Sequence, residues 1–257
     1  MILEHVLEAS TSNLLILSIL SFCLALLMIF PAIWVSKRYD GLDAPLLKSS
    51  FSFFNVAFFG IPTVKALFGQ EAVTTLICIY AGTALYGDTI GYILVAKSKF
   101  GTKKSIKEAF KIPLIYAFLV AIALKIFKFE IPEAVTPVFD VLGIIVSAAG
   151  MTVIGMNITS INFKGLNISY YSKVLGTRTI SAVLITAVLL GLEYYFINGL
   201  GAEERKVLVL IPLFPIAASL TVFASLLESE EKDSALLITL SILISLVLVP
   251  LAALFIQ

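Results

Sequence analysis

The chain has 257 residues, 60% of them hydrophobic and only 14% charged, with a net charge of +1 and a mean hydropathy of +1.05. A soluble domain averages about 25% charged residues, so this chain holds more apolar surface than a water-soluble core can hide, and its solvent is lipid. The near-neutral balance gives no case for a nucleic-acid partner, the single histidine (His5) leaves no histidine cluster for a metal, and no nucleophile–base set or nucleotide loop supports an enzyme.

A helix needs roughly 20 apolar residues to cross about 30 Å of hydrocarbon. In chain order, eight segments qualify: 14–36, 49–69, 72–96, 111–128, 135–158, 173–197, 206–227 and 234–256. The expected class is an all-α membrane protein with eight transmembrane helices. Cys23 and Cys78 lie inside apolar runs and read as packing residues. The N-terminus carries Glu4 and Glu8 with no basic run, unlike a cleaved signal peptide.

The basic residues alternate across the connections. Thirteen, from Lys37 and Arg38 through the cluster Lys97, Lys99, Lys103, Lys104, Lys107 and Lys111 to Lys232, fall on one side, against Lys125, Lys128, Arg205 and Lys206 on the other. The positive-inside rule puts the larger group in the cytoplasm. The expected setting is the plasma membrane, with both termini outside. The basic stretch 99–110 reads as a cytoplasmic loop that marks topology and attracts anionic lipid.

The second and seventh segments are interrupted. The second reads Phe51-Ser-Phe-Phe-Asn55-Val-Ala-Phe-Phe-Gly60-Ile61-Pro62-Thr-Val-Lys65. The seventh reads Leu208-Val-Leu-Ile-Pro212-Leu-Phe-Pro215-Ile216-Ala-Ala-Ser219-Leu-Thr221. Proline removes a helix hydrogen bond, and backbone freed at membrane depth must be satisfied by protein or water. Paired broken helices in two halves of a chain point to a transporter's binding site. Pro215 lies 153 residues after Pro62, and the flanking segments keep a similar offset. Corresponding spans lie five apart in order, an odd number, so the repeats are inverted. Residues 1–98 form a partial first repeat of three helices with a crossover at 49–69. Residues 111–257 form a second repeat of five helices with a crossover at 206–227. The first repeat is incomplete: a symmetric protein would carry two more helices ahead of Met1.

Polar residues inside spans are costly and mark sites or partners. Asp88, in Tyr86-Gly87-Asp88-Thr89-Ile-Gly91, reads either as a proton or sodium site or as part of a hydrogen-bonded helix contact. Gly87 and Gly91 form a GxxxG pair that permits close packing. Lys65, one turn past Pro62, either attracts an anion or snorkels. Asn55 can donate and accept, and suits a carboxylate, an ion or an interhelical bond. Ser219 and Thr221 follow the second break, as caps or substrate contacts. Small residues from Ser147 to Gly150, and Gly155, let another helix approach. Arg178 opens the sixth span, where a lipid phosphate is the simplest partner. Half-helix N-termini at the crossing offer N–H groups to an anion, and the opposing C-termini offer carbonyls to a cation.

The element Asn55-Val-Ala-Phe-Phe-Gly60-Ile61-Pro62, followed by Leu67-Phe-Gly69-Gln-Glu71-Ala, resembles a signature of the auxin efflux carrier family. Ile131-Pro132, the Ala-Gly…Gly155 run and the helix after Pro215 are similar to that pattern too. The resemblance implies ten helices in two inverted five-helix repeats, of which this chain matches helices three to ten. It also implies substrate binding at the crossover, an elevator-like shift and organic anions as cargo. Carried over by residue, Asn55, Gly60 and Pro62 match the first crossover. Pro215 matches the second, flanked by Ile216 to Ser219. Auxin itself is not indicated. The resemblance leaves a homodimer open.

The expected function is a secondary transporter exporting a small organic anion, a carboxylate. Its substrate-binding set is Asn55, Gly60, Ile61, Pro62, Lys65, Pro215, Ile216 and Ser219. The only cofactor in view is a coupling proton or sodium ion, with Asp88 as its candidate residue. The rival readings are a sodium- or proton-coupled carrier or antiporter built on Asp88, and a non-transporting membrane subunit.

Overall fold

A computed structural model describes residues 11–39, 41, 44–112, 116, 117, 120, 123, 124, 127, 136–159, 167–221 and 231–256. The described residues are helical apart from turns and two short extended breaks. The elements are α1 (Thr11–Leu27), α2 (Ile29–Arg38), α3 (Ala44–Ser52), a π turn (Val56–Gly60), α4 (Ile61–Phe68), α5 (Glu71–Tyr86), a π turn (Gly87–Gly91), α6 (Tyr92–Phe100), α7 (Thr102–Ala109), α8 (Thr136–Thr159), α9 (Ile168–Leu192), a π turn (Glu193–Ile197), α10 (Ala202–Leu210), a 3-10 turn (Ile211–Leu213) and α11 (Glu231–Ile256).

Among the described residues, four stretches are long and apolar enough to cross a membrane: Ser12–Arg38, Glu71–Lys97, Ile168–Ile197 and Ser234–Ile256. They correspond to the first, third, sixth and eighth expected spans. The fifth, at 135–158, is the 24-residue helix α8. More than half of the fourth, 111–128, lies outside the described residues, as do Lys125, Lys128 and the end of the seventh at 222–227. Bulky apolar side chains such as Leu15, Ile19, Ile180, Leu184, Val188, Leu246 and Val247 face outward. An outer surface of this kind suits hydrocarbon, and Trp34, Tyr194 and Tyr195 sit exposed near helix ends, as interfacial aromatics do.

Helices α1 and α5 pack with their backbones close. Ser18 Oγ donates to the Cys78 carbonyl and Ser21 Oγ to the Ile79 carbonyl, both at 2.9 Å. A Cβ at Gly82 would collide with the Ser18 carbonyl, so glycine is what lets these helices meet. Gly155, by contrast, faces open space among the described residues, and no helix approaches it there. The basic stretch 99–110 is not all loop. It contains α7, whose buried face is Ser105 and Ala109.

Candidate functional site

Two broken segments meet at the centre of the described structure. In the first, α3 ends at Ser52, residues 53–55 are non-helical, and helix resumes at Val56. In the second, α10 passes through the 3-10 turn into the non-helical residues 214–217, and helix resumes at 219–221. The two breaks lie antiparallel and pair at Phe54 and Ile216. Asn55 N–H donates to the Pro215 carbonyl at 2.8 Å, and Ala217 N–H donates to the Phe53 carbonyl at 3.1 Å. Each break thus satisfies backbone groups that the other's helix has abandoned, the condition that non-helical backbone at membrane depth must meet.

The position of the first break differs from the sequence expectation. Pro62 is not where the helix parts. It sits at the start of α4, directly after a π turn closed by Gly60 N–H to the Asn55 carbonyl at 3.1 Å. The wide π turn admits the proline ring without separating the chain. The parting occurs seven residues earlier than Pro62, at Asn55, which becomes an N-cap. Its Oδ1 accepts from Phe58 N–H at 3.2 Å and Phe59 N–H at 3.3 Å. The first half-helix N-terminus is therefore capped from within the chain, not left open to an anion. Asn55 is 2% exposed, and its Nδ2 has no partner among the described residues.

Gly60 faces Phe214, where an added Cβ would lie 2.6 Å from the ring. Phe59 meets the same ring edge to face at 5.6 Å. In the second segment Pro215 and Ile216 are buried, and Ile216 N–H donates to Ser241 Oγ of α11 at 2.9 Å.

Arg178 was expected at the membrane edge beside lipid phosphate. It is instead 2% exposed and reaches the crossing from α9. Its guanidinium donates to the carbonyls of Ser50 at 3.0 Å, Phe214 at 3.1 Å and Phe53 at 3.3 Å. The Phe54 ring lies over it at 4.6 Å. The reason is a boundary. Helix α9 begins at Ile168, with Asn167 as its N-cap, not near 173, so Arg178 lies ten residues inside the helix.

Alongside the crossing is a cavity of about 120 Å³, lined by Phe53 and Phe54, by Tyr80, Thr83, Ala84, Gly87 and Asp88 of the third span, and by Ala217 and Ser219. Asp88 rides on the π turn Gly87–Gly91, and Gly91 lets the Phe53 ring press against that turn. Single π turns inside α-helices are frequent at functional sites. The cavity thus joins Asp88 and Ser219, which the sequence placed on separate spans. Lys65 is exposed and does not line it, and neither does Pro62. Sequence reasoning passed over Ser241 altogether and misplaced Arg178. An arginine between apolar residues of a long span is the signal that could have found the latter.

No protein-family model matches the chain, and no curated protein matches it.

Proposed function

We propose that this chain is a secondary membrane transporter that moves a small organic anion, with the cavity beside the crossing as its binding site and Asp88 as its coupling residue. The observation that carries this reading is the antiparallel contact of two broken segments, Asn55 N–H to Pro215 O and Ala217 N–H to Phe53 O, next to a cavity holding an acidic side chain. Breaks of this kind are tolerated at membrane depth where they line a cavity. The auxin efflux carrier resemblance agrees with it. In this proposal eight spans form two inverted repeats, the lysine-rich connections face the cytoplasm and both termini lie outside the plasma membrane.

The cavity is smaller than the 300–1,000 Å³ of pockets for drug-sized ligands, which suits a cargo of a few heavy atoms. Two carboxylates in so small a space do not both stay ionised, so an anionic cargo shares a proton with Asp88. The second reading is an ion antiporter in which Asp88 binds the proton or sodium ion itself. It is favoured by one feature: none of the described residues lining the cavity is a lysine or arginine.

Counterflow in proteoliposomes tests both. Vesicles are loaded with a small mono- or dicarboxylate, and uptake of its labelled form is followed across pH in sodium and in choline. The proposal expects counterflow that weakens in Asp88→Asn and loses its pH dependence. Sodium or proton exchange without carboxylate flux would establish the second reading instead.

A further inference from the structure

We propose that Arg178 is a built-in cation at the crossing, filling the position that a mobile coupling cation would otherwise take. The inference rests on the transporter reading for its use, but its geometry stands apart from it. Helix C-terminal ends carry unsatisfied carbonyls and partial negative charge. At the crossing two such ends converge, that of α3 with the Ser50 and Phe53 carbonyls and that of the 3-10 turn after α10 with the Phe214 carbonyl. Convergent carbonyls are what monovalent cations bind in membrane proteins. Here the guanidinium takes all three, at 3.0 to 3.3 Å, while the Phe54 face supplies a further cation-binding surface.

Two observations separate this from an ordinary buried ion pair. No carboxylate among the described residues is paired with Arg178, since the described ion pairs involve Lys111, Arg205 and Lys206. Its ligands come from both broken segments, 36 and 125 residues distant for Phe214 and Phe53. A charge buried in lipid is costly unless compensated. The compensation here is the carbonyl set, the same set that would hold sodium. A fixed cation on α9 therefore does the binding work of a transported one, and this position calls for no sodium.

Thermal unfolding of the purified full chain tests the point without requiring transport. Chains carrying Arg178 (wild type at that position), Arg178→Gln or Arg178→Lys, all with Asp88→Asn to remove the other candidate sodium site, are compared in sodium chloride and choline chloride of equal strength, with and without low-millimolar guanidinium, far below denaturing concentrations. The Arg178 chain is expected to unfold at the same temperature in sodium and choline. Arg178→Gln is expected to unfold several degrees lower and to regain stability in saturable fashion with guanidinium or sodium. Arg178→Lys, which keeps a charge but loses the planar fork, is expected to fall between and to ignore sodium. Saturable sodium stabilisation of the Arg178 chain or of Arg178→Lys would overturn the inference. So would an Arg178→Gln protein that folds but ignores both cations. Absence of carboxylate counterflow, with this unfolding pattern intact, would count against the transporter reading alone.

Discussion

Asn55 and Pro215 lie 160 positions apart in sequence, yet the N–H of the first donates to the carbonyl of the second at 2.8 Å. The pairing organises the region around it. Asn55 also caps the helix that follows it, and Pro215, which has no N–H to offer a ladder, spends its one backbone group on Asn55. A single residue thus ends one break, begins one helix and binds the opposite segment.

The Asn55 side chain separates stability from binding. Serine caps a helix as well as asparagine does, whereas alanine costs about 1 kcal/mol. Asn55→Ser is expected to unfold close to wild type, and Asn55→Ala roughly 2–4 °C lower. Asn55 is not among the described residues that line the cavity, so Asn55→Ser is expected to keep carboxylate flux near the wild-type rate. Melting curves beside counterflow rates check this.

Gly60 and Phe214 are expected to behave as one unit. A methyl at Gly60 meets the Phe214 ring at 2.6 Å, and overpacking of this kind costs about 1–3 kcal/mol. Gly60→Ala should destabilise the wild-type background by that amount and the Phe214→Leu background by less. A double-mutant cycle measures the difference. Additivity of the two changes would show that position 60 does not face the Phe214 ring.

Glu193 fastens the turn between α9 and α10. It is fully buried. Its Oε1 accepts from Gly199 N–H at 2.8 Å and Leu200 N–H at 2.9 Å, while its Oε2 takes Arg205 at 2.9 Å. Arg205 in turn reaches Asn198 Oδ1 at 3.0 Å, where Asn198 holds a positive φ of 47°. Glu193→Gln should cost about 1–3 kcal/mol, because a neutral amide with one carbonyl oxygen cannot serve both the two N–H groups and the part-exposed Arg205. Limited proteolysis should then cut at 198–201 in the variant and spare that turn in wild type.

Helix α7 carries Lys103, Lys104 and Lys107 beside exposed Ile106 and Phe110. The hydrogen bond from Lys111, at 2.8 Å, holds the Glu108 carboxyl below its usual range, so that acid pairs locally. A lysine near an anionic membrane surface contributes about 1 kcal/mol. Replacing all three lysines by glutamate should strip co-purifying anionic phospholipid, as read by lipid mass spectrometry of the purified protein. Unchanged lipid content would remove the lipid role from this stretch.

Hydropathy carried much of this architecture. The four long apolar helices and α8 fall within a few residues of the expected spans, because a length near 20 apolar residues has few other uses. The two interruptions were legible too, since proline and glycine at membrane depth need a reason. Their local form was not. Pro62 looked like the break, but a π turn absorbed it and passed the role to Asn55, a choice that depends on Phe214 and Pro215 arriving from the distant segment. The meeting of Asp88 with Ser219 is likewise a tertiary fact without a spacing signature. Arg178 was misread because its helix begins five residues earlier than hydropathy suggested. A capping Asn167 and a polar first turn lower the apolar average there.

The crossing holds the candidate site together, and a cysteine pair probes it. Phe54 and Ile216 form a non-hydrogen-bonded antiparallel pair, for which Cα atoms lie about 4.5 Å apart, within disulfide range. In a chain whose Cys23 and Cys78 are replaced by alanine, Phe54→Cys with Ile216→Cys should form an internal disulfide on mild oxidation in the membrane. Mass spectrometry would read it as a linked peptide pair. Two free thiols, both labelled by maleimide after unfolding, would contradict the crossing and the site built upon it.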